Sequence, residues 1–329
     1  MSTIAVLGAG AWGTALAKVL GDNAHAVWLW SRDSEHVEAI NRSGENRRHL
    51  PGCSLPATLR ATADLEEAVG DSDWILLAVP SAAFREIVAR LAPYAPPRLA
   101  WATKGLEAES GGFLHGVVDK LLSPPPAMAV LSGPTFAAEI GRGLPAAMTV
   151  ASTCERFAAD MVAAFHSERF RLYTNPDMIG VQLGGAVKNV LAVATGVSDG
   201  LGLGANARAA LVTRGLAEIS RLGDRLGADP RTLIGLAGMG DLLLTCTDDQ
   251  SRNRRFGLAL GRGATIAEAL ESVGSTVEGA RTAGELYSLA ATYEVEMPIS
   301  AAVHRLLQGE IDPGLAVREL MERAPKPEL

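Results

Sequence analysis

The chain opens with a short apolar run, Ile4-Ala5-Val6-Leu7, that leads straight into Gly8-Ala9-Gly10-Ala11-Trp12-Gly13, and Ala11 to Leu20 then has helical spacing. This combination constrains the fold more than any other feature. A strand that ends in G-x-G-x-x-G and turns at once into a helix uses its glycines for a tight turn, for close approach of an anion to the backbone, and for close helix packing. It marks the start of a βαβ unit whose helix N-terminus points at a pyrophosphate. A plain strand-to-helix turn is the competing reading; the flanking strand and helix favour the dinucleotide one.

The same alternation continues. Val27-Trp28-Leu29-Trp30 reads as a second strand, and Trp74 to Val79 is a continuous apolar run closed by Pro80, as in a strand buried on both faces. Ser81 is expected to cap a helix through Phe84, Ile87, Val88 and Leu91. Further strands are predicted over 99–103, 128–131, 147–151 and 170–173, with a helix over 155–165. From about Val181 the strand signal stops, and Ala- and Leu-rich helical segments run to near Glu322, before a frayed tail at Ala324-Pro325-Lys326-Pro327. The pattern predicts an α/β protein. A doubly wound, Rossmann-like dinucleotide-binding domain (1–180) is followed by an all-helical substrate-binding domain (181–329).

Composition narrows the function. The formal net charge of -7 argues against broad nucleic-acid or anionic-membrane binding, so cations that meet an anionic ligand must be concentrated at one place. Cys53, Cys154 and Cys246 are odd in number and form no CxxC pair, which argues against a disulfide framework or a zinc site; no metal is expected. With no signal peptide ahead of the first strand and no apolar run near 18 residues recognised, a cytoplasmic protein without membrane insertion is expected.

Several residues in the two halves are candidates for chemistry. At the end of the second strand come Ser31-Arg32-Asp33. Arg32 is placed to meet a ribose 2′-phosphate, which favours NADPH or dual use; a solvated surface charge is the alternative. Asp33 lies slightly late for the ribose diol of a strictly NAD-specific site. Only five of the 30 basic residues are lysines, and Lys188 sits in an apolar, small-residue helix. Such a lysine either snorkels at a helix edge or is held beside a ligand. Asp241 and Thr245, four apart, share a helix face, and Asp241 could equally cap that helix after Gly238-Met239-Gly240. Ser251-Arg252-Asn253-Arg254-Arg255 is either a solvated loop or an anion site. The histidines occupy no comparable motif and read as structural or exposed, which weighs against a lactate- or malate-type mechanism.

Together these segments resemble the NAD(P)-dependent glycerol-3-phosphate dehydrogenases, particularly the bacterial type. The matching stretches are Gly8 to Ala17, Ala78-Val79-Pro80-Ser81, Thr103-Lys104-Gly105-Leu106, Leu131 to Ala137, Val187-Lys188-Asn189-Val190, Gly240-Asp241-Leu242, Ser251 to Gly257 and Val277 to Arg281. The resemblance runs in order from about residue 4 to 285; His49 departs from it, standing where a tyrosine is expected.

The resemblance implies reduction of dihydroxyacetone phosphate by NAD(P)H, for glycerophospholipid synthesis, in a homodimer. It casts Lys188 as the general acid, with Lys104, Gly133, Thr135, Asn189, Asp241, Thr245, Ser251, Arg252 and Asn253 about the substrate. It casts Gly8, Gly10, Ala11, Trp12, Gly13, Arg32, Lys104, Ala137, Arg252, Thr276 and Glu278 as cofactor contacts. A 6-phosphogluconate- or hydroxyisobutyrate-type reductase is the nearer alternative, from which the run at 251–255 departs; a non-catalytic nucleotide-binding regulator is the more distant one.

Overall fold

A computed structural model describes residues 1–274 and 276–324; the tail expected over Pro325 to Pro327 lies outside them. The chain forms two compact units: Met1–Glu107 with Phe113–Gln182, and Ala108–Gly112 with Leu183 onward.

The first unit is built on one eight-stranded sheet. Its strands are β1 (Thr3–Leu7), β2 (Ala26–Trp30), β3 (Leu59–Thr62), β4 (Trp74–Leu77), β5 (Arg98–Trp101), β6 (Ala127–Ser132), β7 (Ala146–Ser152) and β8 (Phe170–Asn175). They lie in the order β3-β2-β1-β4-β5-β6-β7-β8, parallel throughout except at β6–β7. Strand order reverses beside β1, so the glycine-rich turn lies at a topological switch point, where open α/β sheets bind ligands. The helices of this half are α1 (Ala11–Asp22), α2 (Ser34–Ser43), α3 (Leu65–Val69), α4 (Ser81–Leu91), α5 (Leu114–Leu121), α6 (Ala137–Gly141) and α7 (Glu155–Phe165). Ile4 to Leu7 and Trp74 to Leu77 are all buried, as apolar strands covered on both faces must be.

Two local expectations are corrected here. β4 ends at Leu77 rather than at Val79, because the chain bends away ahead of Pro80, which has no N–H for a ladder. Pro80 itself occupies the N-cap of α4, so Ser81 is the first helical residue and makes no capping bond.

From residue 178 on, the chain is helical: α8 (Met178–Gly200), α9 (Gly204–Leu226), α10 (Pro230–Leu233), α11 (Asp241–Thr247), α12 (Arg252–Gly261), α13 (Ile266–Val273), α14 (Glu278–Thr292), α15 (Pro298–Leu307) and α16 (Pro313–Met321). A five-residue turn over Leu236–Gly240, with π-type hydrogen bonding, leads into α11. Glu218 of α9, almost fully buried, caps α15 from a distance in sequence. It accepts the Ile299 and Ser300 amides (2.6 and 3.2 Å) and the Ser300 hydroxyl (2.9 Å), while burial pushes its carboxyl above the usual range.

α8 corrects the expectation that no apolar stretch nears 18 residues. Its 23 residues are long and apolar enough to cross a membrane, although 83% of its most apolar window is buried within the fold. Its partners approach to backbone contact. A Cβ on Gly196 or Gly200 would lie 2.2 or 2.5 Å from carbonyl oxygens of α12, and one on Gly257 or Gly261 would lie 2.1 or 2.3 Å from carbonyl oxygens of α8. The two helices thus meet through paired glycines four apart, one turn of each per contact.

A single methyl group at this crossing should therefore be costly. Gly257→Ala is expected to lose about 1–3 kcal/mol, since neither backbone can yield without moving a helix. Gly116→Ala in α5, where a Cβ meets nothing within 4 Å, should be neutral or gain up to about 1 kcal/mol from helix propensity. Denaturant midpoints of the two variants check this; equal midpoints would mean that the crossing opens easily.

Candidate active site

In the first unit the glycine-rich turn assigns each glycine a different task. Gly8 has φ +122° and donates its N–H to the Trp30 carbonyl at 3.0 Å; a Cβ there would meet the Ala78 carbonyl at 2.6 Å. A Cβ on Gly13 would fall 1.9 Å from the Gly8 carbonyl, so α1 can begin this close to β1 only with glycine. Gly10 is different. It is the N-cap of α1, its backbone is ordinary extended (φ -74°, ψ 179°), and a Cβ on it would meet nothing within 4 Å. Nothing among the described residues asks for glycine there, so the space it leaves suits a ligand lying against the backbone. A pyrophosphate before a helix N-terminus fits these residues.

Around this turn the other predicted residues take up positions. Ala11 and Trp12 form the first turn of α1, and the Trp12 indole Nε1 is buried with no hydrogen-bond partner among the described residues. Lys104 Nζ lies 6.0 Å from the centre of the Trp12 ring and donates to the Gly133 carbonyl at 3.1 Å, which the Thr135 hydroxyl also contacts at 3.2 Å. Ala137 is the first residue of α6. Arg32 is exposed just beyond β2. Asp33 accepts the His36 amide at 3.0 Å to cap α2 and pairs with Arg48 at 2.9 Å. Asn46 was not legible from the sequence: it is fully buried and donates to the Ala9 carbonyl (2.9 Å) and the Thr14 hydroxyl (2.7 Å), fastening the segment after α2 to the turn.

The second unit contains a buried ionic centre. Lys188 lies mid-way along α8 with its side chain 8% exposed, and its ammonium donates to Asp241 Oδ1 at 2.5 Å and to the Thr245 hydroxyl at 2.9 Å. The Thr245 hydroxyl in turn donates to the Asp241 carbonyl at 2.6 Å. Lys188 is therefore held rather than snorkelling. Asp241 does not cap α11: Gly240 is already helical, continuing the 236–240 turn, so the carboxylate turns to Lys188 instead. That turn packs tightly on α8, since a Cβ on Gly184 would lie 2.4 Å from the Ala237 carbonyl. Burial pushes the neighbouring Cys246 thiol up to about 12, which marks a dry, weakly polarisable surrounding and an unreactive sulfur.

Beside this centre, α12 begins with the basic run. The run is helical, not a loop: Ser251 caps α12 by accepting the Arg254 amide at 3.2 Å. Its arginines divide by helical position. Arg254 is buried, pairs with Asp199 at 2.5 Å and with Asp249, and donates to the Cys246 carbonyl at 3.2 Å. Arg252, first in the helix, is exposed. Asn253 donates to Asn189 Oδ1 at 2.9 Å and accepts the Gly279 amide at 2.8 Å, tying α8, α12 and the start of α14 together. Glu278 is the first residue of α14 and half-buried, and Thr276 is exposed. Hydrogen bonds thus join Lys188, Asp241 and Thr245 in one set and Asn189 and Asn253 in another, the two sets meeting where Lys188 and Asn189 adjoin in α8, with Ser251 and Arg252 next to Asn253 in the chain.

Comparison with known proteins assigns the chain to a family. The family model described as NAD-dependent glycerol-3-phosphate dehydrogenase N-terminus matches residues 3–158, and its C-terminal counterpart matches 177–318. A curated glycerol-3-phosphate dehydrogenase (NAD(P)+) from Halorhodospira halophila is 71% identical over 99% of this chain and 98% of its own length. One of the same name from Alkalilimnicola ehrlichii is 59% identical over 97% of each. The crystal structure of glycerol-3-phosphate dehydrogenase from Coxiella burnetii superposes with a TM-score of 0.95 at 49% identity, covering 98% of this chain and 99% of that one. With two family models matched in sequence order and relatives covered almost from end to end, the chain belongs to the NAD-dependent glycerol-3-phosphate dehydrogenase family.

Proposed function

We propose that this protein reduces dihydroxyacetone phosphate to sn-glycerol 3-phosphate with NAD(P)H, NADPH being favoured, and thereby supplies glycerol 3-phosphate for glycerophospholipid synthesis. The observation that carries the reading is the buried Lys188 ammonium fixed by Asp241 and Thr245 in a chain that matches the family along its length. When bound, the reduced nicotinamide supplies hydride to the ketone carbon. Negative charge then builds on the carbonyl oxygen. Lys188 offsets that charge from Nζ and passes a proton to the oxygen, completing the alcohol. Asp241 and Thr245 fix the direction of the ammonium, so no reorientation is needed as the charge develops.

The substrate phosphate has a natural place at the start of α12. Arg252 brings a guanidinium, and the helix N-terminus capped by Ser251 brings partial positive charge. Asn253 and Asn189 hold the edge of that place, and Lys104, Gly133 and Thr135 are read as further substrate contacts. The cofactor contacts are read as Gly8, Gly10, Ala11, Trp12, Gly13, Arg32, Lys104, Ala137, Arg252, Thr276 and Glu278. Exposed Arg32 after β2 supports the NADPH preference. The family resemblance supports a homodimer in the cytoplasm, and the free thiols of Cys53, Cys154 and Cys246 accord with a reducing compartment.

NADPH consumption on addition of dihydroxyacetone phosphate tests the activity directly; a purified, folded protein that consumes none sinks it. Lys188→Met keeps much of the side-chain length and should retain NADPH binding while kcat falls at least about 10²–10⁴-fold. Turnover within a few-fold of wild type would make Lys188 a packing residue. Arg252→Ala should raise the KM for dihydroxyacetone phosphate by an amount equivalent to about 1.5–3 kcal/mol, with a smaller effect on NADPH; an unchanged KM would remove Arg252 from the phosphate site. Gly10→Ala should melt with the wild type yet bind NADPH about tenfold or more weakly, because the methyl group would occupy only the space left for the pyrophosphate. A parallel loss of stability and binding would show that the protein itself needs that space.

A further inference from the structure

The end of β2 carries a charge arrangement that the proposed reaction does not use. One carboxylate oxygen of Asp33 caps α2, and the other receives Arg48 Nη1 at 2.9 Å. The His36 amide first, and Arg48 after it, hold the Asp33 carboxyl below the usual carboxylate range. Arg48 comes from the segment that follows α2, and that segment is not loose. Buried Asn46 ties it to the Ala9 carbonyl and the Thr14 hydroxyl of the glycine-rich turn, while Asn46 Oδ1 accepts the His49 amide at 3.2 Å and faces His36 Nε2 at 2.9 Å. The Arg48 side chain is 63% exposed and open to a ligand. Arg32, also exposed, adjoins Asp33 in the chain. Asp33 and Arg48 are among the residues that line a cavity of about 450 Å³, together with Glu35, Glu45 and Arg47.

We propose that the Asp33–Arg48 pair sets the balance between the two nicotinamide dinucleotides, with Arg48 as a second guanidinium for the 2′-phosphate beside Arg32. The inference rests on reading the glycine-rich turn as the dinucleotide site, because the end of the second strand is where such sites meet the adenosine ribose. A 2′-hydroxyl donates to a carboxylate; Asp33, although slightly late in the chain for a strictly NAD-specific site, is fixed just past β2 by its cap on α2 and is assigned as that partner. A 2′-phosphate carries negative charge that a bare carboxylate repels. Arg48 neutralises Asp33 and, swinging a short way from it, offers the phosphate the planar donors that suit its oxygens. One pair therefore serves both ligands, the arginine giving up Asp33 only when the phosphate is present.

Calorimetric titration of the full chain with two fragments, 2′,5′-ADP and 5′-AMP, isolates the 2′-phosphate from the reaction. In Arg48→Ala the ratio of the 2′,5′-ADP to the 5′-AMP dissociation constant should rise about tenfold, the scale of one charge-assisted contact. Asp33→Asn keeps the cap on α2, since asparagine caps as well as aspartate, yet removes the repelling charge. The ratio in that variant should fall, by roughly threefold to tenfold. The KM ratio of NADPH to NADH should move in the same two directions. A pair that only closes α2 would leave the fragment ratio at its wild-type value in both variants, and that result overturns the proposal. Failure of wild type to bind either fragment would instead overturn the dinucleotide reading and this proposal with it, while leaving the Lys188 and Arg252 variants as separate tests of the chemistry.

Discussion

Backbone contact along α8 is the constraint on which the second unit depends. At Gly184 the helix touches the 236–240 turn, and at Gly196 and Gly200 it touches α12. Each contact is closer than any side chain would allow, so it fixes axial position as well as distance. The first contact sets Asp241 and Thr245 opposite Lys188; the second sets Asn253 opposite Asn189. Helices packed through larger side chains stand 8–10 Å apart. A lysine between them would then have room to move, and a 2.5 Å ion pair would not be imposed by the backbone.

This arrangement also explains how a charge is tolerated so deep in an apolar helix. A buried ammonium without a partner is costly, and a buried pair is only as good as its geometry. Here the carboxylate arrives from the first turn of α11, and a threonine one turn later bonds both the ammonium and the helix backbone. Arg254 repeats the solution nearby with Asp199 and the Cys246 carbonyl. The two buried cations thus have separate acidic partners, and neither competes for the other's carboxylate.

Much of this was legible in the chain itself. The long apolar strands, the glycine-rich turn and α7 announce themselves by local pattern, because burial on both faces and tight turns restrict residue type over consecutive positions. β3, four residues at the sheet edge with an exposed arginine, carries no such signal. The site residues near one another in sequence were legible as candidates. What they do to one another was not. Whether Asp241 caps a helix or pairs with Lys188 depends on the shape of the preceding turn, and whether 251–255 is loop or helix depends on one serine cap. Asn46 fastens the glycine-rich turn and Arg48 pairs with Asp33 through contacts distant in the chain, and the amino-acid pattern around them is that of any polar loop. The apolar length of α8 was not legible because its glycines, Lys188 and Asn189 interrupt the apolar run without interrupting the helix.

The apolar character of α8 has a consequence during synthesis. Its covering partners, the 236–240 turn and α12, emerge only after the helix itself, a delay of a few seconds at roughly 5–20 residues per second. In that interval the nascent chain displays a segment that meets the length and hydropathy of a membrane span. A central lysine opposes insertion by roughly 2.5–3.5 kcal/mol. Lys188 is thus a gatekeeper before it is a buried ammonium: the charge that later meets Asp241 also biases the unfinished helix toward water until α11 and α12 arrive to cover it.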